Sequence, residues 1–254
     1  MPGSLDVSML LAVAAFAAGV LNAIAGGGSF LTFPALVFAG VPPIAANATS
    51  ALAVSPGYLG STWGFKDELA QLPRRRLRNE TLIAAAGGVA GACLLLVTPA
   101  QVFRGLVPWL LLFATALFVL GPWLAKRREA APGPVHPASR WRGTGLAGVA
   151  LYGGYFNGGL GILLMALYAV TGEKHLHTTN ALKNLNSLVL SIVSVITFAL
   201  AGAIAWAPAL LMMAAATAGG YAGARWSKRL PVAWVRALVI VTGLTMSGLF
   251  FWRG

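Results

Sequence analysis

Hydrophobic and polar positions alternate along this chain on a long scale, with apolar runs separated by short polar turns from one end to the other. Such runs occupy residues 7–25, 82–98, 106–125 and 232–252, among others. Each, wound as a helix, is long enough to cross a hydrocarbon layer about 30 Å thick. None alternates polar and apolar residues with period two, as a membrane barrel would, so helices are the remaining way to satisfy the backbone in lipid. The expected fold is an all-α integral membrane protein. The opening segment, MPGSLDVSML, lacks the basic region and small-residue cleavage site of a secretory signal, so the first run is expected to remain as a structural helix.

The pattern repeats. AAAGGVAGA at 84–92 returns as AAATAGGYAGA at 214–224, aligning Gly87, Gly88 and Gly91 with Gly219, Gly220 and Gly223. Pro99, Arg104 and Leu106 then fall on Pro231, Arg236 and Leu238, while upstream Asn47, Ala48 and Leu52 match Asn180, Ala181 and Leu185, and Gly26-Gly27 match Gly158-Gly159. The chain divides into a first repeat at 1–125, a basic, proline-rich linker at 126–142 and a second repeat at 143–254. Each half reads as a long helix, a glycine break, a short apolar segment (30–39 and 162–170) and three further helices. The short segments cannot span alone at 1.5 Å per residue, which makes them broken or re-entrant helices.

Composition agrees with lipid as the solvent: 58% of residues are hydrophobic and only 9% are charged, where a soluble domain carries roughly a quarter. The net charge of +12 sits in short clusters between apolar runs, the arrangement of a cytoplasmic membrane face rather than of a nucleic-acid surface. Placing the linker and the loop expected over 65–78, with Arg74, Arg75 and Arg76, on the cytoplasmic side also brings Arg225, Lys228 and Arg229 inside under strict alternation. The turns near Pro42, Pro99 and Gly202 then fall outside. Each half therefore has an odd count of about five segments, and a tandem repeat of odd count has opposite orientations: two inverted repeats, with a site expected at their interface near the midplane.

Candidate chemistry concentrates at two places in each half. The first is the glycine cluster, Gly26, Gly27 and Gly28 against Gly158, Gly159 and Gly161, where a break lets backbone approach a ligand and a new helix begins with free N–H groups. The competing role is close helix packing, the one assigned to Gly87, Gly91, Gly219 and Gly223. Asn22 and Asn157, just before the clusters, can either donate to a ligand or cap the broken helix. The second place is a polar stretch in an otherwise apolar helix: Asn47, Thr49 and Ser50 in the first half, and Asn180, Lys183, Asn184 and Asn186 in the second. Lys183 has no acid in an apolar run to pair with, so it either faces a wet cavity or an anion, or snorkels to the membrane surface.

Other features exclude function classes. There is no phosphate-binding loop, HExxH, GxSxG or pair of carboxylates, and an ATP-driven pump or an enzyme is not expected. The six acids, Asp6, Asp67, Glu68, Glu80, Glu129 and Glu173, read as lying at helix ends or in loops, which leaves no carboxylate relay within the bilayer. His175 and His177 lack acidic or cysteine partners and suit an interface better than a metal; no metal or cofactor is expected. Arg104 and Arg236 suit headgroup anchoring or bracing of a turn, and Cys93, the single cysteine, is a spectator. The paired glycine motifs serve contacts within the chain or between chains, which leaves a homodimer open.

The stretch GVLNAIAGGGSFLTFPALVFAGVPPIAANATSALAV, with GGLGILLMALYAVTG and TTNALKNLNSLVLSIVSVITFALAGAIAW in the second half, resembles the TauE/SafE sulfite exporter family of bacterial membrane proteins over essentially the whole chain. Thr49-Ser50 and the Asn180, Lys183, Asn184 pattern carry much of the likeness. The resemblance implies multi-pass insertion in the bacterial cytoplasmic membrane and transport of a small sulfur-containing anion, such as sulfite or a sulfonate; export as its direction rests on the resemblance alone. The expected site draws on Asn22, Gly26, Gly27, Gly28, Thr49 and Ser50 from one half, and Asn157, Gly158, Gly159, Asn180, Lys183 and Asn184 from the other. A scaffold without transport activity, or an intramembrane enzyme, is the alternative.

Overall fold

The computed structural model describes residues 4–24, 27–129, 139–173, 175–226 and 232–253, and every regular element in them is an α-helix. The first half contains α1 (Ser4–Ile24), the short α2 (Ser29–Phe38), α3 (Pro43–Gly64), a five-residue α4 (Lys66–Ala70), α5 (Arg74–Val97) and α6 (Ala100–Glu129). The second contains α7 (Ser139–Tyr155), the short α8 (Leu160–Val170), α9 (Leu176–Leu200), α10 (Trp206–Trp226) and α11 (Val232–Arg253). Both short helices fall within two residues of the segments expected from sequence, and at ten and eleven residues they reach only about 15–17 Å. Among the described residues, Leu5–Ala23, Arg74–Val97, Ala100–Leu120 and Leu176–Leu200 are long and apolar enough to cross a membrane by length and composition.

Two boundaries differ from expectation. The segment 65–78 is not a loop: α4 lies inside it, and α5 starts at Arg74 directly after Pro73, whose φ of −57° already suits a helix entry. The basic run is thus the first turn of a long helix. At the linker expected over 126–142, α6 continues to Glu129 and α7 begins at Ser139; residues 130–138 lie outside the described residues. Pro43 opens α3 at a position where a missing N–H is harmless.

Helix pairs cross between the halves. α1 lies along α10, and α5 along α7, so closely that no side chain fits between them. A Cβ on Gly219 would land on the Phe16 backbone and one on Gly223 on that of Val20, a register that makes α1 and α10 parallel. Likewise a Cβ on Gly87 would strike Ala150 and one on Gly91 the Leu151 carbonyl, so α5 and α7 are parallel as well. These glycines are consumed by packing inside the chain. α6 and α11 run antiparallel, with Trp109 against Phe251 (ring centroids 5.2 Å apart) at one level and Thr115 against Gly243 at another. α3 and α9 pack against each other at the centre.

The core is aromatic where α2, α6, the end of α7 and α11 converge. Phe33 meets Phe156 edge-on at 5.5 Å and stacks with Phe250 at 6.1 Å, while Phe103 meets Tyr155 at 5.7 Å. The exterior is apolar too: Leu5, Val97 and Leu200 are exposed, and Trp63, Trp141, Trp206 and Trp252 stand out at helix ends, the level at which indoles sit at a membrane–water interface. Between helices in lipid there is no water to expel, so close backbone approach and dispersion hold the pairs together.

Gly219→Ala is expected to destabilise the protein by about 2 kcal/mol or more, because the methyl collides with backbone that cannot move aside. Gly105→Ala in α6, with nothing within 4 Å of the added carbon, should be neutral or gain up to about 1 kcal/mol from helix propensity. Thermal unfolding of the detergent-purified variants checks the pair; equal melting temperatures would remove the packing role from the glycine.

Candidate functional site at the two helix breaks

The first break separates α1 from α2. Gly28 begins the turn into α2, its carbonyl accepting from the N–H groups of Leu31 (3.0 Å) and Thr32 (3.3 Å), while the Gly27 carbonyl accepts from Phe30 N–H (3.1 Å). Asn22, in the last turn of α1, accepts the Gly28 N–H through Oδ1 at 2.9 Å and so spans the break. A Cβ on Gly28 would lie 2.6 Å from the Ala18 carbonyl and 2.9 Å from Asn22 Cγ, which leaves room only for glycine. Gly26 lies outside the described residues.

The second break separates α7 from α8. Tyr152 reaches back with its hydroxyl to the Gly158 carbonyl at 2.9 Å, doing for this break what Asn22 does for the first. Gly159 caps α8 with φ +78°, a left-handed conformation that glycine adopts without strain, and its carbonyl accepts from Ile162 and Leu163 N–H at 3.0 Å. Between them Asn157 is buried, and neither its Oδ1 nor its Nδ2 has a partner. A buried polar group left unpaired costs about 1–3 kcal/mol, so Asn157 stands there at an energetic cost.

The two breaks abut. A Cβ on Gly159 would lie 3.4 Å from the Phe30 ring at the start of α2, and Phe33 packs on Phe156. Both short helices therefore start in one layer, where their positive dipole ends favour an anion; most of the N–H groups expected to be free there are instead used within the turns, that of Gly28 by Asn22 and those of Phe30, Leu31, Ile162 and Leu163 by carbonyls of the breaks. Around this layer Ser50 on α3 shares a 2.6 Å hydrogen bond with Thr32 on α2, and Asn47 donates from Nδ2 to the Tyr155 carbonyl at 3.1 Å, tying α3 to the end of α7. Thr49 is buried and engaged elsewhere, accepting Ala205 N–H at 3.0 Å just before α10.

On α9, Asn180 is half-buried and donates to its own helix at the Leu176 carbonyl (3.1 Å), whereas Asn184 is buried. Lys183 is half-buried, with no ion-pair partner among the described residues. Sequence reasoning placed these residues on one polar helix but missed what anchors that helix. Asn186 donates to the Tyr168 hydroxyl at 2.7 Å, and that hydroxyl donates to Glu80 Oε2 at 2.6 Å.

Glu80 is the acid the sequence placed wrongly. It lies seven residues into α5 and is only 6% exposed. Arg76 Nε holds its Oε1 at 3.0 Å and reaches Glu173 Oε2 with Nη2 at 2.7 Å; Arg142 approaches both carboxylates at 3.8 Å and donates to Thr171 Oγ1 and to its carbonyl, each at 3.2 Å. Two cations and two carboxylates thus join α5, α7 and the segment after α8 at the basic end of the molecule. The four-residue spacing of Arg76 and Glu80 was a readable signal; Glu173 and Arg142, far along the chain, carried none.

A family model described as sulfite exporter TauE/SafE matches residues 11–250. The chain is 28% identical over 246 residues to the "probable membrane transporter protein ORF9" of Sinorhizobium sp, covering 93% of this chain and 89% of that protein. It is 27% identical over 250 residues to the "probable membrane transporter protein YfcA" of Escherichia coli K12 (92% and 85% covered). A "probable membrane transporter protein" of Haemophilus influenzae is 27% identical over 254 residues (96% and 94% covered). No solved structure matches.

Glu80→Ala should destabilise the fold by about 1–3 kcal/mol, because it leaves the Tyr168 hydroxyl and Arg76 Nε without their acceptor, while Glu173 still compensates the two arginines. Glu80→Gln, which keeps an acceptor for Tyr168, should lose less. Thermal melts of both variants decide it: an unchanged melting temperature for Glu80→Ala would make the quartet a solvated surface cluster.

Proposed function

This chain belongs to the sulfite exporter TauE/SafE family, and from that premise we propose that it is a secondary carrier or facilitator of a small oxyanion, with sulfite or an organosulfonate the first choice. It is a membrane transporter; the oxyanion is our reading. The observation that carries the reading is the meeting of two helix breaks around Asn157, a buried amide with no partner, at the N-termini of two short helices. Neutral donors and dipole ends select a negative ligand, and Glu80 and Glu173, at the basic end of the molecule, are held by Arg76 and Arg142.

We read the two halves as inverted repeats in the bacterial cytoplasmic membrane, with the end bearing Arg74–Arg76 and Arg142 facing the cytoplasm. The parallel pairing of α1 with α10 and of α5 with α7 supports inversion. In the expected correspondence α10 is the counterpart of α5 and α7 that of α1, so each half lends the other the same helix pair, running in opposite directions across the membrane. On this reading α2 enters from outside and α8 from the cytoplasm, and both turn back at the midplane. Transport proceeds by alternating access: each short helix moves with its own half, opening the break layer first to one side and then to the other.

The site residues act in named ways. Asn22 and Tyr152 hold the breaks open as turns; Gly27, Gly28, Gly158 and Gly159 bring backbone to the ligand; Asn157 donates from its amide; Ser50, with Thr32, lines the α3 side; Asn184 lines the α9 side. Lys183, in the second turn of α9, leans toward the cytoplasmic end as helical side chains do, and draws the anion in from there. Thr49, which accepts the Ala205 N–H, and Asn180, which donates to its own helix, shape the surroundings rather than touch the anion.

In proteoliposomes, wild-type protein should move sulfite or isethionate down a gradient, and Lys183→Ala should lower apparent affinity about tenfold or more while melting as the wild type does. Purified protein should also be thermally stabilised by a subset of oxyanions. Wild-type transport in Lys183→Ala would strip the lysine of this role, and no response to any oxyanion would overturn the reading itself.

A further inference from the structure

Seven buried side-chain atoms lack a hydrogen-bond partner among the described residues, and five of them belong to Asn157, Asn186, Ser187 and Ser191, which localises the deficit to one region. Ser187 and Ser191 stand one turn apart on α9, so their hydroxyls leave the same face; they are 0% and 1% exposed. A serine or threonine inside a helix ordinarily returns its proton to the carbonyl four residues back. Thr197 does so to Val193 (2.8 Å) further along the same helix, and Ser247 to Gly243 (2.8 Å) on α11. Ser187 and Ser191 do not.

Their depth is set by Leu190, whose Cδ1 would lie 3.2 Å from a Cβ on Gly153, a carbon that would also meet Leu160. Gly153 and Leu160 flank the α7–α8 break, so this stretch of α9 lies beside the break that carries Asn157. The orphaned hydroxyls and the orphaned amide thus belong to one layer, the layer in which α2 and α8 begin.

We propose that Ser187 and Ser191 are ligands of the transported anion, donating to its oxygens in the occluded state while Asn157 donates from the break. The inference rests on the transport reading above and deepens it by adding residues and a ligand shape. Hydroxyls can also hold a cation, and the surrounding field decides the sign. Lys183 is one turn before Ser187 on α9, two short-helix N-termini begin in the layer, and Glu80 and Glu173 are occupied by Arg76 and Arg142. Three donors on two elements suit an anion with three oxygens on one centre, such as a sulfonate or sulfite, better than a carboxylate with two.

The test compares wild type with Ser187→Ala, Ser191→Ala and the double variant in proteoliposomes, using isethionate and acetate as probes. Each single change is expected to raise the KM for isethionate about tenfold, the double more, with a smaller effect on acetate and little on maximal rate. A second measurement guards against misfolding. In a Cys93→Ser background, Ser191→Cys should react with a sulfonate-bearing methanethiosulfonate reagent, and isethionate should slow that reaction. Wild-type KM in the double variant, lower melting temperature with unchanged KM, or a Ser191→Cys thiol that isethionate does not protect, would each overturn the inference while leaving transport by the wild type intact. A wild type that neither binds nor moves isethionate, acetate or sulfite would overturn the transport reading and this inference together.

Discussion

A helix interrupted inside a buried apolar core releases backbone donors and acceptors where little water can take them, and in this protein that happens twice, between α1 and α2 and between α7 and α8. The solution at each break is a side chain from the preceding helix: Asn22 accepts the Gly28 N–H across one break, and Tyr152 donates to the Gly158 carbonyl across the other. With the turns satisfied locally, the backbone there is irregular without being exposed to lipid.

Close packing brings the breaks together. With little hydrophobic drive between helices in lipid, α1 and α10, and α5 and α7, are joined where Gly19, Gly91, Gly154, Gly219 and Gly223 let backbones meet. Because these pairs exchange partners between the halves, neither half packs without the other, and the breaks are forced against each other through Gly159, Phe30, Phe33 and Phe156. The charged quartet secures the basic end: Arg76, Arg142, Glu80 and Glu173 balance one another and bind α5, α7 and the segment after α8, and Tyr168 and Asn186 extend the tie to α9. A layer with orphaned polar atoms survives because the surroundings over-determine it.

The helical membrane fold, the short segments and the glycine breaks were legible because they are local: run length and glycine spacing act over a few turns. α2 at Ser29–Phe38 and α8 at Leu160–Val170 appear almost where the apolar runs put them. Family membership was legible for the same reason, as it rests on contiguous stretches around the breaks. What each polar residue touches was not legible. Thr49 meets a backbone N–H 156 residues away, Asn47 a carbonyl 108 away and Glu80 a hydroxyl 88 away, and no spacing along the chain announces such partners. Only the tertiary structure decided which polar groups are used up in holding helices, as Thr49, Asn47 and Glu80 are, and which are left unpaired in the buried layer, as Asn157, Ser187 and Ser191 are. Hydrogen bonding between distant segments depends on how the helices cross, and the crossing is set by packing across the whole molecule rather than by any one segment.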